Sequence, residues 1–180
     1  MSYANLPRCR GTATTLILAA AAISMAAPFL ATEKSMTGED LSLARIDRLR
    51  LIVASVPDPI KKRGVNREEL EGLSRRALAG AGIHVVDDWD ESVPTLELLV
   101  LVADDEKAAP EAQAFCVYLT FKQRVLVERI DRKLDLPTWS TLDMKVKAPH
   151  EVARSAREAI HKVMNHFVNM TTMATRRVQP

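Results

Sequence analysis

Residues 113–130 read QAFCVYLTFKQRVLVERI, and their reading decides the fold. Phe115, Val117, Leu119, Phe121, Val125 and Val127 hold the odd positions, with Gln123 among them. Cys116, Tyr118, Thr120, Lys122, Arg124, Leu126 and Glu128 hold the even ones. A period of two with one mostly apolar face is the pattern of a long half-buried β-strand. No glycine or proline interrupts it, which favours an interior position in a sheet. Such a strand needs neighbours on both sides and a cover on its apolar face.

The flanking sequence supplies both. Residues 95–103 (TLELLVLVA) read as a second strand, apolar on both faces in its second half, which predicts an interior strand covered on each side. Only a short charged turn at 104–110 separates the two, so they should be antiparallel neighbours. Residues 138–146 (TWSTLDMKV) alternate again, with Leu142, Met144 and Val146 on one face and Trp139, Thr141, Asp143 and Lys145 on the other.

Further upstream, residues 44–56 (ARIDRLRLIVASV) read as a strand stopped by Pro57 and Pro59. Asn66 can cap a helix, with Glu69 placed as in a capping box. Leu70, Leu73, Ala77 and Leu78 form its apolar stripe, and Gly80 and Gly82 end it. Residues 83–86 give a brief strand. The carboxy-terminal stretch 149–171 carries Val152, Ala156, Ala159, Ile160, Val163, Phe167 and Met170 at helical spacing. A helix of that kind must lie on a sheet. The predicted fold is a two-layer α+β sandwich, with a mainly antiparallel sheet of four to five strands covered on one face by two helices.

The amino terminus addresses the chain. Residues 1–11 carry Arg8 and Arg10 and no acid, and 12–31 (TATTLILAAAAISMAAPFLA) carry no charge. A basic stretch, an apolar run and small residues at its end make a secretory signal peptide, cleaved after Ala26. If it stays uncleaved, 12–31 is long enough to anchor the chain in the inner membrane. The expected organisation is a signal peptide at 1–26, a tether at 27–43, one α+β domain at 44–172 and a frayed tail at 173–180. The expected location is the periplasm.

Composition excludes several classes. Hydrophobic residues at 47% and charged residues at 27% mark a globular body. Aromatics at 4% are too few for base-stacking platforms. Of 25 Lys and Arg, Arg8 and Arg10 leave with the signal, so 23 remain against 23 acids. That neutral body carries no field for nucleic acid. Cys116 would then be the one cysteine, an inert strand thiol with no disulfide partner.

No catalytic constellation is present. His84, His150, His161 and His166 include no pair four apart on one helix face, and no glycine-rich phosphate loop or nucleophile elbow occurs. The acidic run 87–91 (DDWDE) lacks the spacing of a calcium loop and reads as a solvated turn, with Trp89 as a contact residue or a ring folded on the sheet edge. Lys61, Lys62 and Arg63 read as solvent-facing loop cations. No metal or cofactor is expected, and the chain reads as a non-enzyme. The surface bearing Tyr118, Lys122 and Arg124, beside Trp139, is the candidate contact surface for an envelope protein partner. Membrane contact is expected only with the signal uncleaved. The alternative is a small molecule or lipid held between sheet and helices, lined by Met144, Met164 and Met170.

Several of these residues carry a resemblance. Gly64-Val65-Asn66 before the helix, Leu78-Ala79-Gly80-Ala81-Gly82-Ile83 at its end, Pro94-Thr95-Leu96, Gln123-x-Val125, Thr138-Trp139 and Phe167 recur in this order. In them the chain resembles small exported bacterial envelope proteins of uncharacterised function, with one residue more before Gly82-Ile83 than that pattern has. The element order is also similar to the small amino-terminal α+β domain of the Tol-system propeller protein and to curli-secretion-like envelope proteins. The resemblance implies an exported α+β protein and no activity.

Overall fold

The structure, a computed structural model, describes residues 36–88, 90–103 and 111–179. The expected signal peptide, the anchor alternative, Trp89 and the turn 104–110 lie outside the described residues.

The long strand is there. Gln113–Val127 forms β4, followed by a single 3-10 turn at Glu128–Ile130 and then β5, Arg132–Lys147. Asp131, in the left-handed conformation at φ 48°, closes the turn. β3, Thr95–Ala103, runs antiparallel to β4 from the pair Thr95↔Lys122 to the pair Ala103↔Ala114. On its other side β3 pairs in parallel with β1, Arg48–Val53, which pairs in parallel with β2, His84–Val85. The order is β2-β1-β3-β4-β5, a five-stranded sheet of the expected α+β class, antiparallel through its long ladders and mixed only by the short parallel pairs that β1 makes with β2 and β3.

Among the described residues four α-helices accompany the sheet: α1 at Gly38–Leu41, α2 at Asp58–Lys61, α3 at Arg67–Gly80 and α4 at Val152–Arg177. Of the three cations expected in a loop, Lys61 ends the single turn α2 and pairs with Asp58 at 3.7 Å, and Lys62 and Arg63 follow it. Asn66 caps α3 by accepting from the Glu69 N–H at 2.8 Å. Glu69 does not reach back to close a box; its carboxylate accepts from Arg157 at 2.7 Å and ties α3 to α4. At the other end, Gly82 at φ 75° lets the Ile83 N–H reach the Leu78 carbonyl while its own N–H reaches Ala79, both at 3.0 Å. That pattern is a Schellman stop, with Leu78 and Ile83 both buried beside it. Asn66→Ala is expected to cost about 1 kcal/mol, read as a shift of the urea midpoint at unchanged slope.

One layer of side chains joins sheet and helices. Leu49, Leu51 and Val53 from β1, Leu96, Leu98 and Val100 from β3, and Phe115, Val117, Leu119 and Phe121 from β4 are buried on one face. Against them pack Leu70 and Leu78 of α3 and Val152, Ala156, Ala159, Ile160, Val163, Met164 and Phe167 of α4. The stripe of α3 has Ser74 between Leu70 and Leu78, with Leu73 and Ala77 only half-buried.

Both ends of the domain differ from expectation, for one reason. The tether expected to reach residue 43 is structured from Met36: Thr37 and Asp40 make a reciprocal capping box at 3.1 and 3.2 Å, and Leu43 is fully buried. The tail expected to fray from 173 stays helical to Arg177, with Ala174 buried. These two segments hold each other. The Arg45 N–H donates to Thr175 Oγ1 at 2.9 Å, and its guanidinium donates to the Val178 carbonyl at 3.0 Å. Arg45 adopts φ 60°, which breaks the extended backbone and delays β1 from the expected residue 44 to Arg48.

Candidate functional site

The opposite face of the sheet has no cover among the described residues. Its side chains form rows across the strands, set by register. Ala103, Ala114 and Val146 share one row, Leu101, Cys116 and Met144 the next, and Leu99, Tyr118 and Leu142 the third. The rows then turn polar. Ile52, Glu97, Thr120 and Ser140 align, followed by Arg50, Thr95 and Lys122.

Exposure separates the two ends. Leu101 is 50% exposed, Leu142 59%, Met144 71% and Val146 64%, a contiguous apolar surface. At the polar end Lys122 pairs with Glu97 at 2.6 Å and Arg124 with Glu91 at 2.8 Å. With Arg50 and Thr95 these four line a shallow cleft of about 120 Å³. Beside it the backbone and hydroxyl of Ser92 donate to Asp90 and hold its carboxyl below the ordinary range. β3, expected to be covered on both faces, is covered on one by the described residues.

Three of the four expected contact residues stand together here: Tyr118 half-buried, Lys122 and Arg124 at the cleft. Trp139 does not. It is buried on the other face, 5.6 Å from the Phe167 ring and 5.7 Å from the His166 ring of α4. Thr141, Asp143 and Lys145 point the same way as Trp139, so β5 shows its polar set to the helices and its apolar set to the open side.

A one-residue bulge causes this inversion. From Val127↔Arg132 to Lys122↔Pro137 the ladder is regular, and then Phe121 pairs with Trp139, leaving Thr138 as the extra residue. Had the first register continued, Val117 would oppose Leu142 and Phe115 would oppose Met144, both on the covered face. One inserted residue moves every later side chain to the other side. Pro137 cannot donate to the ladder, and Thr138 Oγ1 accepts from Gln123 Nε2 at 2.8 Å, so the bulge has local causes.

Inversion leaves Asp143 buried under α4. Lys162 Nζ lies 2.5 Å from one carboxylate oxygen and Lys145 Nζ 3.5 Å from the other. Burial pushes this carboxyl up, but Lys162 and then Lys145 outweigh it, so it titrates below the ordinary range. Cys116 goes the other way: burial first, and the Asp143 charge second, push its thiol up. Such a thiol is a poor nucleophile at neutral pH.

Met144 faces away from the helices and Met164 is core, so the methionines do not line a common pocket between the layers. Core side chains fill that space. A wider groove of about 570 Å³ lies instead at the carboxy-terminal end of α4, between Arg45, Asp47, Ile83, Thr171, Thr175 and Arg176.

The fold is thus of the two-layer α+β class, with one sheet face left uncovered by the described residues. No protein-family model matches the chain, and no curated relative does. Among solved structures, the crystal structure of a minor lipoprotein from Acinetobacter baumannii is similar at 12% identity and a TM-score of 0.39, covering 74% of this chain and 97% of that one. No helix of the described residues is long and apolar enough to cross a membrane.

Proposed function

We propose that the chain is an exported, non-enzymatic interaction or assembly module of the bacterial cell envelope, working in the periplasm after loss of residues 1–26. The observation that carries the reading is the bare sheet face, apolar at Leu101, Leu142, Met144 and Val146 and charged at Lys122 and Arg124. A contiguous exposed apolar patch rimmed by polar residues marks an interaction site. The basic, then uncharged, amino terminus and the neutral body support export and a protein partner over nucleic acid.

Two measurements test it. Expressed with its own leader, the protein is expected in the periplasmic fraction as a species beginning near Ala27. A full-length species confined to membranes would make 12–31 an anchor instead. A photoreactive residue in place of Tyr118 is expected to trap an envelope protein. Lys122→Glu with Arg124→Glu should cut that trapping several-fold while moving stability by less than about 1 kcal/mol, since both ion pairs are partly exposed. Undiminished trapping would remove this face from consideration.

A further inference from the structure

We infer that two copies of the chain pair antiparallel through the outer edges of their β5 strands, centred on Met144, joining two sheets into one. The inference goes beyond the export reading and stands without it.

The two ends of the sheet are unlike. β2, at one edge, is two residues long, whereas β5, at the other, is 16. Short edges protect themselves; long ones present a row of free N–H and C=O groups that template another strand. Over residues 142–147, β5 makes backbone hydrogen bonds only to β4 among the described residues. The bulge ends before Trp139, so this stretch is regular.

Charge is the usual guard on such an edge, and β5 carries Asp143, Lys145 and Lys147. Here the charges select a register. In a two-fold antiparallel pair, residues on the same face oppose each other, and the same contact is made twice. Centred on Asp143, the pairing sets two carboxylates opposite each other. Centred on Lys145, it sets two ammonium groups opposite. Like charges so placed are destabilising. Centred on Met144, Asp143 meets the partner's Lys145 and Thr141 meets the partner's Lys147. On the bare face Leu142 meets the partner's Val146 and Met144 meets its own copy. Each cross-strand pair is then apolar with apolar, opposite in charge, or neutral with charged. The bare apolar surface becomes continuous across the axis. Asp143 enters the pairing already neutralised by Lys162 and Lys145, so no unpaired charge is buried.

The test is disulfide trapping of the full chain with Cys9→Ser and Cys116→Ser. Met144→Cys is expected to give a disulfide dimer under mild oxidation, because residues opposed across antiparallel strands lie within disulfide reach. Leu142→Cys alone should not, being four residues out of register with its copy, but mixed with Val146→Cys it should cross-link to it. Met144 is largely exposed, so the variant keeps its fold, which its melting temperature verifies. In sedimentation the parent mass should double with concentration, and Met144→Lys should abolish the doubling. Equal trapping of Met144→Cys and Leu142→Cys would overturn the register. A monomeric parent with no trapping would overturn the dimer, and a foreign partner still trapped at position 118 would then own the face.

Discussion

Phe167→Ala should lose about 3–5 kcal/mol of unfolding free energy, a large share of the total for a domain this size. The Phe167 ring is fully buried where α4 crosses β4 and β5, 5.7 Å from Phe121 and 5.6 Å from Trp139. Truncation removes the transfer energy of the ring and leaves a cavity among side chains that cannot close it. It also removes two aromatic contacts at favourable separations. Urea denaturation followed by tryptophan emission reads the change, because Trp139 reports on this cluster. His166→Ala is the control. That ring lies 5.7 Å from Trp139 on the exposed side of the helix, and its loss should cost less than about 1 kcal/mol. Equal effects from the two variants would mean that α4 does not seat on the sheet through Phe167.

Lys162→Met combined with Lys145→Met should cost about 3 kcal/mol at pH 7, because it strands a buried carboxylate. The deficit should depend on pH. In the parent, the Asp143 carboxyl is held below its unfolded value of about 3.9. Its contribution is therefore present above about pH 4 and is lost as pH falls through the depressed folded value. In the double variant only burial acts, which raises the carboxyl above its unfolded value. The difference between the proteins should then be full near neutrality, shrink below about pH 5 and vanish once Asp143 is protonated in both. Urea midpoints at pH 7, 5 and 3 measure it. A deficit constant across that range would mean that the two lysines act through the packing of their stems.

Much of the fold is legible in the sequence because local patterns carry it. The alternation at 113–127, the Asn66 cap, the Gly82 stop and the stripe of α4 each state their structure without distant information. Thr37-x-x-Asp40 states one too: it is a capping-box spacing, and with the apolar Leu43 behind it could have moved the domain start to Met36. The parallel pairing of β1 with β3 was not legible, since nothing in β1 names that neighbour. Nor was the composition of the bare face. Alternation in β5 names two sets of residues and leaves open which set turns inward. Inward burial of the apolar set is the natural expectation, and a register change at Pro137 and Thr138 reverses it. The shared face of Tyr118, Lys122 and Arg124 was legible because β4 has no such break before them. Trp139 was misplaced because it follows one.

That bulge also makes the surface of this protein depend on a count. Substitutions in β5 alter the bare face one side chain at a time. Loss of the single codon for Thr138 would instead exchange the two faces of the strand beyond it, sending Asp143 and Lys145 outward and Leu142, Met144 and Val146 under α4. Drift of residue type along this edge is therefore gradual, whereas a change of length is all or nothing. The same stretch, 139–147, could serve as a sticky edge in one lineage and as ordinary core in another, with no side chain altered.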